Sequence, residues 1–141
     1  MRKPTPDAEA YAWYTRALVD HAWGVQVDVP EEPQCGFFKR RLVRGGPYVA
    51  AKIWIEGKTD SDGNLIGDEV MRCEVNNQYQ DPEEQWTWLA SHPIFEAEFH
   101  YLTALRNYTV EHAPHEPLAN PRKPIDWKSV PLPIFNRRKA Q

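Results

Sequence analysis

The sequence predicts an α+β fold: a small twisted antiparallel sheet of three or more strands, with SH3-like curvature as one option, flanked by two to three helices and followed by a proline-rich arm. Three observations predict it. Apolar residues recur at helical spacing in two separated stretches, near 10–21 and 99–110. Between them, Cys35 to Val75 holds three β-type runs, the first two joined by a Gly-Gly-Pro turn and the third following a long polar loop. After Pro114 the chain is rich in proline and loses any periodic pattern. The expected organisation is one domain over 1–113, with an arm and basic tail over 114–141 packed on it or extending from it.

The first helix is expected at about 6–22. Thr5 is the cap, Pro6 suits the first helical position, and Asp7 and Glu9 favour the positive end of the helix dipole. Ala10, Trp13, Tyr14, Ala17, Leu18 and His21 follow at helical spacing, and Gly24 is the stop. Val25, Val27 and Val29 alternate before Pro30, which reads as a short extended segment and then a connector.

The unit at 35–75 is the centre of the fold. If Gly45-Gly46 form a two-residue turn, Leu42 faces Val49, Phe38 faces Ile53 and Arg40 faces Ala51 on a mostly apolar face. The other face then pairs Phe37 with Trp54, Lys39 with Lys52 and Arg41 with Ala50, and carries Tyr48. Two lysines directly opposite repel, so an acid should lie nearby; the third strand, Glu69–Val75, can supply Glu74. Gly57 to Gly67 is a polar hairpin loop with turn chemistry at Asp62-Gly63-Asn64, and Asn76-Asn77 ends the third strand.

Asp81-Pro82-Glu83-Glu84 starts a second helix with a cap, a proline at the first position and acids in the first turn; Ser91-His92-Pro93 breaks it. From Glu96, the residues Phe99, Leu102, Leu105 and Tyr108 mark a longer helix that Pro114 stops after about His112. Pro114 to Phe135 is expected to be an extended arm lying on the domain, held by its scattered Leu and Ile residues, Trp127 and Phe135, with Asn136 to Gln141 as a basic tail.

Composition narrows the function. The net charge is −3, which argues against a protein that coats DNA or binds membrane surfaces broadly, and leaves room for a local basic patch. Six Trp, six Tyr and five Phe provide the apolar area for an aromatic core. No apolar run approaches the roughly 18–20 residues of a membrane span, and no secretory leader is expected at the start of the chain. Two cysteines, Cys35 and Cys73, make no disulfide framework and read as small buried apolar residues of a cytoplasmic protein.

The motifs that could carry chemistry fall short of it. Asp60-Ser61-Asp62-Gly63-Asn64 has calcium-loop residues, but Gly63 falls at the fourth position and Met71 at the twelfth, where an EF-hand needs an acid. His112 and His115 are separated by Pro114 and have no further ligand nearby. Nothing in the sequence resembles a nucleophile elbow, a phosphate loop or a zinc-protease helix. No catalytic residue, metal or cofactor is therefore assigned. The candidate binding residues are Lys39, Arg41, Arg44, Tyr48, Lys52 and Trp54, a basic and aromatic strand face.

Four stretches, RRLVRGGPYVAAKIW, GDEVMRCEV, DPEEQWTWLASHPIFEAEFHYL and HAPHEPLANPRKPIDW, span about 40 to 127. In this layout the chain resembles small uncharacterised proteins of tailed phages and prophages. The resemblance transfers no activity and no catalytic residue. It implies an accessory protein acting in the host cytoplasm, binding a host or phage protein as inhibitor or adaptor. The alternatives are a nucleic-acid-binding module using the basic strand face, and a virion or assembly component. The partner expected first is a protein, with nucleic acid second and no membrane; the oligomeric state is open.

Overall fold

A computed structural model of the chain describes residues 2–126. The N-terminal helical stretch forms as α1 (Asp7–Ala10) and α2 (Ala12–Ala22), separated at Tyr11, whose φ of −102° and ψ of 11° leave the helical region. Thr5 does not cap it. Its N–H and hydroxyl both donate to the Glu69 carboxylate, at 2.8 and 3.1 Å, so Pro6 takes the cap position. Gly24 ends α2 as expected. With φ at +71° it lets Val25 N–H reach the Asp20 carbonyl at 2.8 Å while its own N–H reaches His21, a Schellman ending. The valine alternation that follows makes no strand. The backbone there instead satisfies two indoles, one half-buried and one buried: Trp13 Nε1 donates to the Asp28 carbonyl and Trp86 Nε1 to that of Pro30.

The sheet has four antiparallel strands in sequence order: β1 (Gly36–Arg41), β2 (Tyr48–Glu56), β3 (Val70–Val75) and β4 (Gln78–Gln80). Lys39 pairs with Ala50, Phe38 with Ala51 and Arg41 with Tyr48, a slip of two residues from the two-residue turn. The turn is really a six-residue loop, 42–47, because the end of the described chain holds it. Ile125 N–H donates to the Gly45 carbonyl at 2.9 Å, and a β-carbon on Gly46 would sit 3.0 Å from the Pro121 carbonyl oxygen. A two-residue slip leaves every side chain on its face, since side chains alternate with period two. Phe38, Val49, Ala51 and Ile53 line the core, and the two lysines are no longer opposite. The fourth strand arises at Asn76-Asn77. Both residues take positive φ (53° and 65°), the two-residue turn that asparagine tolerates, and the chain folds back instead of ending the sheet.

Helices cover both faces of the sheet. On one, Tyr14 of α2 and Trp86 and Leu89 of α3 (Pro82–Leu89) pack on Phe38, Ile53, Cys73 and Val75. Trp13, Phe38 and Trp86 form a ring cluster with centroids 5.2 to 6.4 Å apart. Asp81 caps α3 by accepting the Glu83 N–H at 3.1 Å. His92, Pro93 and Ile94 then run along the β1 edge, with Lys39 N–H donating to His92 and Ile94 N–H to Phe37, which closes that edge. This strap carries the chain to the opposite face, where α4 (Glu96–His112) packs Phe99 and Leu102 on Phe37 and Ala50. After α4, a 3-10 turn at Pro117–Ala119 places Leu118 in the main core. Trp127, Phe135 and the basic tail lie outside the described residues. No described helix is long and apolar enough to cross a membrane.

Candidate protein-binding surface

The sheet face beneath α4 carries five of the six candidate residues, and α4 divides them. It crosses from Phe37, under Phe99, over Ala50 to Asn77, whose side-chain amide donates to Asn107 at 3.2 Å. One group lies beside β1. Lys39 Nζ stands 3.0 Å from Glu98 of α4, and Lys39 and Arg41 both sit over the Tyr48 ring, at 4.9 and 4.6 Å from its centre. The other edge of Tyr48 meets the His92 ring at 5.7 Å. Burial, together with the nearby Lys39, His21 and Arg41 charges, lowers the His92 pKa from its ordinary value.

The second group lies toward β3 and β4. Lys52 sits 4.9 Å over the Trp54 ring and 5.8 Å from the centre of Phe99. Glu74 stands directly across from Lys52, and Arg72 across from Trp54. Arg72 Nε pairs with Glu56 at 3.1 Å. Tyr79 on β4 lies against Trp54 with centroids 6.1 Å apart and is 73% exposed. The sixth residue, Arg44, is exposed in the 42–47 loop, outside the strands. Phe37, the aromatic expected beside Trp54, is instead covered by Phe99, while Trp54 remains half-buried and reachable.

Tyr79, Arg72 and Glu98 complete this surface and are absent from the sequence-based set. The Asn76-Asn77 pair was a signal for Tyr79, since a two-residue turn there puts it opposite Glu74 on the same face. Glu98 had no such signal: it lies 59 residues from Lys39 and meets it only through the packing of α4.

The other motifs find structural roles. Asp60 Oδ1 accepts the N–H groups of Asp62 and Asn64 at 3.0 and 2.9 Å, which forms the hairpin tip. Lys3 Nζ donates to the Asp62 carbonyl at 2.8 Å. His112 lies against the Tyr108 ring, and His115 stands 3.9 Å from its neighbour Glu116. Cys35 and Cys73 are buried free thiols, pushed by burial up to about 11 and about 12.

No family model matches this chain, and comparison with curated proteins and with solved structures finds no match.

Proposed function

We propose that this chain is a non-enzymatic protein-binding module, an accessory protein of the tailed-phage kind that acts in the host cytoplasm as an inhibitor or adaptor, with its contact surface centred on Trp54 and Tyr79. The observation that supports this reading is the chemistry around those rings. A surface that follows a phosphate backbone draws its affinity from cations that displace counterions. Here Lys39 is paired with Glu98, Arg72 with Glu56, and Lys52 has Glu74 across the sheet from it. Of the candidate cations, Arg41, Arg44 and Lys52 have no carboxylate at ion-pair distance among the described residues, but Glu74 stands across from Lys52 and keeps the charge of the rim mixed. Reachable aromatic anchors inside a rim of mixed charge suit a protein interface better than a nucleic-acid track.

The test compares immobilised wild-type chain with Tyr79→Ala in quantitative capture from host lysate. Tyr79 is exposed on a short edge strand, so the substitution should leave the melting curve unchanged. The expected result is a defined protein held by the wild type and weakened about tenfold by Tyr79→Ala, the size of a modest hot spot. Two results would replace the reading: no protein that differs between the two baits, or a single-stranded oligonucleotide bound with a steep salt dependence that Lys52→Glu abolishes.

A further inference from the structure

On the side of the sheet opposite Trp54, a cleft of about 240 Å³ opens beside the main core. Its walls come from β1, β4, α3 and the turn at 121–123. Arg40 is the anomaly in it. Its register partner is Val49, so its side chain leaves β1 on the core face, among residues that are otherwise apolar. A cation placed there needs compensation.

The described residues supply it only neutral partners. The guanidinium stacks on Trp88 at 4.2 Å, Nη1 donates to Gln85 Oε1 at 2.8 Å, and Nε donates to the Arg41 carbonyl at 3.0 Å. Gln85 is itself buried, so it holds the guanidinium in a fixed plane. Among the described residues, Nη2 has no protein acceptor and no carboxylate stands at ion-pair distance from Arg40. Arg122 lines the same cleft and adds a second positive charge. Burial, and after it the Arg122 charge, pulls the Arg40 pKa below its ordinary value. The remaining polar wall includes the side chains of Asn76, Gln78 and Gln80, with Glu84 as its one acid.

We infer that this cleft is a binding site for a phosphate-type oxyanion, gripped by the free end of the Arg40 fork and by Arg122. Two guanidinium groups on one small cleft match the geometry of a phosphate, which accepts parallel N–H bonds. The anion would relieve the repulsion between the two arginines and supply the missing counter-charge of Arg40. Amide donors on the β4 side can take further phosphate oxygens. The volume is below the roughly 300–1,000 Å³ of pockets for whole drug-sized ligands, so the site suits a single headgroup. The exposed part of Trp88, at 47%, leaves a surface on which an attached ring could rest. The source of the phosphate is therefore either the free ion or a mononucleotide, and the site is separate from the proposed protein-binding surface.

Calorimetry on the full chain distinguishes these sources, with sodium phosphate and AMP titrated separately at ionic strength held constant with sodium chloride. Binding with a Kd of about 1 mM or tighter is expected for both. Equal affinities identify the free ion as the source; AMP bound about tenfold more tightly identifies a nucleotide. Arg122→Gln, at an exposed position, should keep the melting temperature and weaken both ligands at least about tenfold. Arg40→Lys keeps the charge but removes the planar fork, and should weaken them too. No heat of binding up to about 10 mM ligand, or wild-type affinity in both variants, would overturn the assignment.

Discussion

Replacing Gly36 by alanine puts a β-carbon 2.5 Å from Cδ1 and 2.7 Å from Cγ of Tyr14, and 3.0 Å from Cζ of Phe38. Neither ring has room to retreat. Tyr14 is held at its far end by its hydroxyl, which donates to the Ile94 carbonyl, and its sides meet Phe37 and Phe38, each at 6.0 Å between centroids. Phe38 is fully buried. Overpacking of this kind costs about 1–3 kcal/mol. Displacing Tyr14 far enough to break its bond leaves the Ile94 carbonyl unpaired, at about 1–3 kcal/mol. Alanine recovers about 0.5–1 kcal/mol, because glycine loses more chain entropy in a strand. The net expectation is destabilisation by about 1–5 kcal/mol. With a slope of about 2 kcal/mol/M, the urea midpoint should fall by about 0.5–2.5 M. Tyr14→Phe frees the ring from its tether, so in that background the Gly36→Ala penalty should shrink by about 1 kcal/mol. A Gly36→Ala protein within about 0.5 kcal/mol of wild type, or a strictly additive double-mutant cycle, would refute the account of how α2, β1 and the 92–94 strap lock together.

Other parts of the fold give shorter tests. The His92 pKa is lowered in the folded state, so the unfolded chain takes up its proton first as pH falls; His92 should add stability above about pH 6.5 that is lost as pH drops through the folded value. Urea midpoints measured from about pH 8 to 5 should show this slope, and His92→Gln should flatten it. Cys35 and Cys73, buried and held protonated with values of about 11 and about 12, should resist iodoacetamide at neutral pH in the native protein and react fully in denaturant, read by mass spectrometry; rapid native labelling of either would contradict their placement. Asp81→Ala should lower stability by about 1 kcal/mol in urea titration through loss of the α3 cap, and Asp81→Asn should restore most of it.

Much of the fold was legible because its determinants are local. Side chains alternate in a strand, so the sequence of 36–56 alone decides that Phe38, Val49 and Ile53 share a face and that Lys39, Lys52 and Trp54 share the other. The ends of α3 and α4 follow from Asp81-Pro82, Ser91-His92-Pro93 and Pro114, which act on their own neighbours. Even the wrong turn length between β1 and β2 did no harm to the faces, because its error was an even number of residues.

What depended on distant contacts could be settled only by the tertiary structure. The 42–47 loop takes its length from Pro121 and Ile125, and Pro6 stands at the cap of α1 because Glu69 claims Thr5. The candidate surface depends on α4, which brings Glu98 to Lys39 and divides one apparent basic stripe into two small groups. Arg40 shows the same limit from the other side. By alternation alone it is a charged residue on an apolar face; only when α3 brings Trp88 and Gln85 over it, and the turn at 121–123 brings Arg122 beside it, does it become part of a cleft. Sequence determines which way a side chain points, because that is a property of a few neighbouring bonds. What the side chain meets there is determined by the packing of elements remote in the chain, and the chemistry of a surface follows from those meetings.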